Sequence, residues 1–216
     1  MIRIVIADDH TIVREGLKQL LSAASDLQVV GEARDGHETL KIVRESDFDV
    51  LLLDMSMPGK GGTELIKQVK SEKSKLRILV LSMHAEHQYA VRAIKSGASG
   101  YLTKDSASTQ LVSAIRKVAG GGAFISAEVA EQLAHSAMPH AEGPPHASLS
   151  DREYQIFQLL VSGKSVSGIA EDLNLSVKTV STHKARLLEK MGLANQTELV
   201  HYAIKHRLVD ASANPG

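Results

Sequence analysis

Cysteine is absent from the 216 residues, which removes disulfides, thiolate zinc sites and cysteine nucleophiles and leaves the redox compartment open. No apolar run approaches the roughly 18 residues of a membrane-spanning helix. No basic leader with a long apolar stretch precedes the first strand, so neither export nor membrane insertion is expected and the chain reads as cytoplasmic. Net charge is missing too: Lys and Arg equal Asp and Glu at 25 each. Taken alone, that balance argues weakly against a nucleic-acid partner. No internal repeat is visible.

The distribution of charge says more than its sum. Residues 1–126 hold 17 basic and 15 acidic side chains, residues 127–147 none and three, and residues 148–216 eight and seven. Within the last part, Ser176 to Met191 gathers Lys178, Lys184, Arg186 and Lys190 against Glu189. The length allows one or two domains, each able to bury a core, and the patterning favours two.

Four stretches of the first part read as strands, each ending in a polar group. Val50 to Leu53 is apolar without alternation, as in a strand buried on both faces of a parallel sheet, and ends in Asp54. Ile2 to Ala7 ends in Asp8 and Asp9, Leu76 to Leu81 in Ser82, and Ser99 to Thr103 delivers Lys104. Ligands of open α/β sheets bind beyond the carboxyl ends of the strands, so these groups would converge on one crevice. By position alone Asp54 is either a site residue or the cap of the segment that Pro58 and Gly59 turn away. Crowding Asp8, Asp9 and Asp54 is unfavourable without a cation, and an all-oxygen set suits Mg²⁺. Asp54 could then attack phosphorus, its charge offset by the metal and Lys104, with Ser82 donating to a phosphoryl oxygen.

Strand and helix alternate five times over the first 121 residues. This predicts a flavodoxin-like, doubly wound domain with a five-stranded parallel sheet in the order 2-1-3-4-5. Helices are expected over 11–22, 36–46, 62–73, 86–96 and 107–119, and a short one over 126–136 capped by Ser126. Domain limits fall at 1–122, then a linker over 123–147 whose part 137–147 is rich in Pro, Gly and small residues and reads as flexible. A helical domain follows over 148–210 and a tail over 211–216. His135, His140 and His146 read as solvated surface rather than metal ligands, and His10 as a cap rather than a ligand.

DD after the first strand, DMSMPG after the third, LSM after the fourth and GYLTKD around the fifth resemble a bacterial response-regulator receiver domain. The resemblance implies that Asp54 takes a phosphoryl group from a histidine kinase, that Asp8 and Asp9 hold Mg²⁺ with Asp54, and that Ser56 adds a backbone carbonyl. It makes Ser82 and Tyr101 a switch pair, and gives His84 and Ser56 a role in tuning dephosphorylation. One departure is Lys104-Asp105, where Lys-Pro with a cis bond is common in the wider superfamily.

Ser150 and Glu153 have capping-box spacing ahead of Ile156, Phe157, Leu159 and Leu160. Ser165 and Ser176 cap two further helices separated at Asn174, and Asn195 with Glu198 suggests a second box before a fourth helix. This is helix-turn-helix spacing. IAEDL, LSVKTVSTH and KMGL resemble the DNA-binding domain of LuxR-type regulators, so the whole chain is similar to the NarL/FixJ response regulators. The resemblance puts the helix after Ser176 in the major groove, Ser181, Thr182 and Ala185 toward bases, and Lys178, Thr179, His183 and Lys184 toward the DNA backbone. It implies transcription regulation by a homodimer formed on phosphorylation, with double-stranded DNA, a sensor histidine kinase and, as a further candidate, RNA polymerase as partners. Two other classes compete. One is an Asp-nucleophile phosphohydrolase, against which Ser56 stands where a second acid would be expected. The other is a phosphorylation-independent protein-binding adaptor, which leaves LSVKTVSTH unexplained.

Overall fold

Each of the apolar runs becomes a strand in the computed structural model, which describes residues 1–57, 62–83, 87–136, 144–206 and 208. The chain divides into two units, residues 1–139 and 140–216. In the first, β1 (Ile2–Ala7), β2 (Leu27–Ala33), β3 (Val50–Asp54), β4 (Arg77–Ser82) and β5 (Gly100–Thr103) form one parallel sheet in the order β2-β1-β3-β4-β5. That is the flavodoxin-like order expected from the sequence. The central β3 is buried throughout, which is why its sequence does not alternate.

The crossovers are α1 (Thr11–Ser22), α2 (Gly36–Glu45), α3 (Gly62–Glu72) and α4 (His87–Lys95), followed by α5 (Lys104–Ala119). Ile4, Ile6, Leu52, Leu79 and Leu102 face Leu17 and Leu21 of α1 and Leu111, Ile115 and Val118 of α5 in one cluster. The alternate residues Val5, Leu51, Leu53, Ile78 and Val80 are fully buried as well, and alternation assigns them to the opposite face of the sheet. Burying each Leu or Ile contributes roughly 1.5–3 kcal/mol, so a sheet covered on both sides holds its strand ends firmly.

Two features of this unit depart from the sequence reading by more than a residue. Helix α5 begins at Lys104 rather than at residue 107, because Thr103 serves as its N-cap and accepts from Ser106 N–H at 3.3 Å. The chain after α5 returns to the sheet edge within the expected linker. Phe124 N–H donates to Ser99 C=O (3.1 Å) and Phe124 C=O accepts from Tyr101 N–H (2.9 Å). Gly100 makes this approach possible, since a Cβ there would lie 3.0 Å from the Phe124 carbonyl oxygen and 2.9 Å from Leu79. Helix α6 (Ala127–Ser136) then packs on α4, with Ser126 Oγ accepting from Val129 N–H at 3.3 Å.

The second unit holds a 3₁₀ turn (Pro145–Ser148), α7 (Asp151–Val161), α8 (Val166–Asp172), α9 (Val177–Met191) and α10 (Gln196–Lys205). The Ser150–Glu153 capping box is complete. Asn174 takes a left-handed φ of 50° in the turn between α8 and α9. At α10, Asn195 caps Glu198 N–H, but the Glu198 carboxylate reaches Ala194 N–H (2.8 Å) instead of closing a box on Asn195. Tyr154, Phe157, Leu160, Val180, Leu187 and Leu199 form the buried interior. Pro58, Gly59, His84, His140, the stretch 137–143 and the tail 211–216 lie outside the described residues.

Candidate functional site

The sheet register brings the polar strand ends together. Asp54 pairs with Leu81, Ser82 with Thr103, and Ala7, just before Asp8, with Leu53. Asp8, Asp54, Ser82 and Lys104 therefore meet at the carboxyl edge of the sheet, as a parallel arrangement requires. Lys104, the first residue of α5, bridges the acids: its Nζ lies 2.7 Å from Asp8 Oδ2 and 2.9 Å from Asp54 Oδ2. Both carboxylates are only 1% exposed. Their second oxygens accept backbone N–H groups, Asp8 Oδ1 from His10 (2.8 Å) and Asp54 Oδ1 from Ser56 (3.0 Å).

Burial holds the Asp54 carboxyl above the ordinary carboxylate range, opposed by the hydrogen bond and charge of Lys104 and by the Ser56 N–H. For Lys104 burial works the other way, but its bonds to Asp8 and Asp54 prevail and its pKa is raised. The site thus sets two buried carboxyl groups against one ammonium that their hydrogen bonds hold in its charged form.

Asp9 differs from its neighbours. Its Oδ1 is buried yet accepts no hydrogen bond, and His10 Nδ1, 2.9 Å away, lacks hydrogen-bonding geometry. His10 occupies the N-cap position of α1 without a capping bond, so the expected cap is replaced by contacts with Asp8 and Asp9. Asp8, Asp9, His10 and Asp54 each offer one ligand atom, all within 4.8 Å of one another. Three carboxylates against one ammonium, with an unsatisfied carboxylate oxygen among them, suit a hard divalent cation. Ser56, exposed two residues after Asp54, is a candidate for a carbonyl ligand.

Ser82 is fully buried at the end of β4, and Tyr101 on β5 is 9% exposed. Tyr101 borders a cavity of about 240 Å³ lined also by Ala90, Thr103, Gln110, Phe124 and Val129. The Lys104–Asp105 bond is trans, since no cis peptide occurs among the described residues. One residue of this unit escaped sequence reasoning: Arg14 is buried on α1 and donates to the Asp8 carbonyl at 2.7 Å. The available signal was a cation between Val13 and Leu17 on an otherwise apolar helix face.

In the second unit, Lys178, Ser181, Thr182 and Ala185 are exposed on α9 at the spacing of one helix face. The Ser181 and Thr182 hydroxyls donate to the Val177 and Lys178 carbonyls, each at 2.9 Å, which leaves oxygen lone pairs and the threonine methyl outward. Thr179 is half-buried and bonded to Ser176 Oγ (2.7 Å). Lys184 is half-buried and donates to Gln196 Oε1 at 2.7 Å, a partner the sequence did not reveal. His183 is also half-buried, and burial lowers its pKa, opposed by Glu153. Its Nδ1 has no hydrogen-bond partner among the described residues. Arg186, exposed on the same helix, adds a cation outside the expected contact set.

His146 corrects the reading of a solvated linker histidine. It is 3% exposed, and its Nδ1 lies 2.8 Å from the Tyr202 hydroxyl on α10. The histidine is satisfied within the second unit, ahead of the start expected at residue 148.

Residues 4–116 match the family described as response regulator receiver domain, and residues 147–203 match the bacterial regulatory proteins of the luxR family. The response regulator UvrY of Escherichia coli (strain K12) is 39% identical over 212 residues, covering 98% of this chain and 97% of that protein. Among solved structures, RcsB from Salmonella enterica serovar Typhimurium bound to promoter rprA with phosphomimetic BeF₃⁻ is 29% identical. It covers 94% of this chain and 98% of that chain with a TM-score of 0.61. A structure of two RcsB dimers bound to two parallel DNAs is 30% identical with the same coverage and a TM-score of 0.57.

Proposed function

The chain belongs to the response regulators that join a receiver domain to a LuxR-type DNA-binding domain and regulate transcription, and from that premise we propose that Asp54 is its phosphoacceptor. The observation that carries this reading is the clustering of Asp8, Asp54 and Lys104 within 2.9 Å contacts at the carboxyl edge of the sheet. Asp8, Asp9, Asp54 and the Ser56 carbonyl would hold Mg²⁺, which when bound neutralises charge on the phosphoryl oxygens. Asp54 supplies the attacking oxygen, and Ser56 N–H holds its partner oxygen. Lys104 withdraws its share of charge from the ground-state carboxylates and offers the ammonium to the phosphoryl group. Ser82 donates its hydroxyl there, and Tyr101 on the neighbouring strand β5 acts as its switch partner.

Under this reading the donor is a sensor histidine kinase, the protein is no enzyme beyond incidental autophosphorylation and autodephosphorylation at Asp54, and it works in the cytoplasm as a homodimer on DNA. No described helix is long and apolar enough to cross a membrane. Ser56 stands where a phosphohydrolase would carry its general acid, which favours a stable aspartyl phosphate over turnover. The near-neutral second unit favours two copies, because one brings few cations to the duplex. Lys178 then meets phosphates, with Lys184, His183 and Thr179 supporting the same edge of α9, while Ser181, Thr182 and Ala185 face bases. Regulation of transcription makes RNA polymerase a further partner. Intact mass after acetyl phosphate with Mg²⁺ is expected to rise by one phosphoryl group in the wild type and to stay unchanged in Asp54→Asn. An undiminished rise in that variant would overturn the assignment.

A further inference from the structure

Arg14 is a buried charged side chain that stands outside the acid cluster and contacts it only through a backbone carbonyl. The residue is 5% exposed. Its Nη1 donates to the Asp8 carbonyl at 2.7 Å, its Nε to Glu32 Oε2 at 3.2 Å, and its Nη2 to Thr11 Oγ1 at 3.3 Å. One guanidinium thereby ties the end of β1, the first turn of α1 and β2. Glu32 is itself held by Lys18 Nζ at 2.8 Å. A buried ion of this kind is costly unless every donor finds a partner, so the arrangement is specific in geometry as well as charge.

The Asp8 carbonyl belongs to the peptide plane that carries Asp9. The two acids are restrained differently: the Asp8 carboxylate is gripped by Lys104 and His10 N–H, whereas Asp9 Oδ1 accepts no hydrogen bond. His10 Nδ1 lies 2.9 Å from Asp9 Oδ1 without hydrogen-bonding geometry, so the backbone does most to aim Asp9 into the cluster, and Arg14 fixes that backbone from behind. We infer that Arg14 is a positioning residue for the divalent-cation site: by anchoring the Asp8 carbonyl, it orients Asp9 toward Asp54 against their mutual repulsion. This rests on the Mg²⁺ reading of the site.

Removing the anchor leaves Asp54, Lys104 and Ser82 in place and loosens one acid. The consequence is a split: weaker Mg²⁺ affinity with an unchanged rate at saturating Mg²⁺. Partners outside the ligand shell typically contribute 10–100-fold in metal affinity, and an anchor acting through the backbone belongs at about tenfold.

The test is calorimetric titration of Mg²⁺ into full-length wild type, Arg14→Met, Arg14→Lys and Glu32→Gln, paired with the Mg²⁺ dependence of acetyl-phosphate labelling. Arg14→Met is expected to raise the Mg²⁺ dissociation constant about tenfold and to retain the wild-type plateau rate. Glu32→Gln removes a charge partner of Arg14 but keeps the bond to Asp8, so it is expected to lower thermal stability and leave Mg²⁺ affinity at the wild-type value. Should Arg14→Met not fold, Arg14→Lys carries the test, because one ammonium nitrogen cannot occupy the three separate positions from which Nη1, Nε and Nη2 reach Asp8, Glu32 and Thr11, and the same direction is expected. Unchanged Mg²⁺ affinity in the folded Arg14 variant, or an equal loss in Glu32→Gln, would overturn the positioning role. Absence of Mg²⁺ binding in the wild type would instead overturn the reading of the site on which it rests.

Discussion

Burial raises the pKa of Asp54 while Lys104 and the Ser56 N–H oppose it, and that tension is measurable. Its raised pKa means that its contribution to stability is full below the unfolded value and is lost as pH rises through the folded value. Without Mg²⁺, Asp54→Asn is therefore expected to match the wild type at low pH and to exceed it in melting temperature as pH rises through that window. A constant difference across the whole pH range would contradict the burial argument. Lys104→Ala is expected to act in the opposite sense, leaving two buried carboxylates without their ammonium at a cost of about 3–5 kcal/mol. Mg²⁺ at about 100 times its dissociation constant should restore about 2.7 kcal/mol, read by urea unfolding with and without the ion. Asp8, Asp54, Ser82 and Lys104 were legible in the sequence because each directly follows or ends an apolar run. Arg14 was not, because only the fold brings the Asp8 carbonyl, Glu32 and Thr11 around it, and Lys184 was only half legible, since nothing in sequence spacing announces Gln196 as its acceptor.

Strands and caps were readable one element at a time, because local chemistry decides them. The four apolar runs, Ser150 with Glu153, Ser165 and Ser176 each keep their places. Where the sequence misled, a long-range contact had overridden composition. Pro144 to Ala147 looks like linker by its prolines and small residues, yet His146 is buried against Tyr202, fifty-six positions away in the chain. Phe124 likewise looks like the start of a linker and instead pairs with the edge of β5. Tyr202→Phe deletes the hydroxyl bonded to His146 and is expected to cost about 1 kcal/mol in unfolding of the second domain. Ser150→Ala removes the capping box of α7 and is also expected to cost about 1 kcal/mol. Urea titrations followed by amide NMR signals of α7 and α10 would check both; an unchanged midpoint in Tyr202→Phe would make the His146 contact incidental.

At the scale of the whole molecule, charge and copy number set the DNA affinity. If each copy neutralises three or four phosphates, the slope of log affinity against log salt for a dimer is expected to be roughly −5 to −7. Lys178→Ala should make that slope shallower on specific and scrambled duplexes alike. Thr182→Ala should instead shift preference at one base pair per half-site by about 1 kcal/mol or more. If chemistry at Asp54 governs what α9 does, one titration reads it directly. DNA affinity is measured for wild type and Asp54→Asn at fixed salt and Mg²⁺, with and without acetyl phosphate. Tightening by the phosphodonor in the wild type alone is the predicted result; equal affinity in all four conditions, or equal tightening in Asp54→Asn, would contradict it.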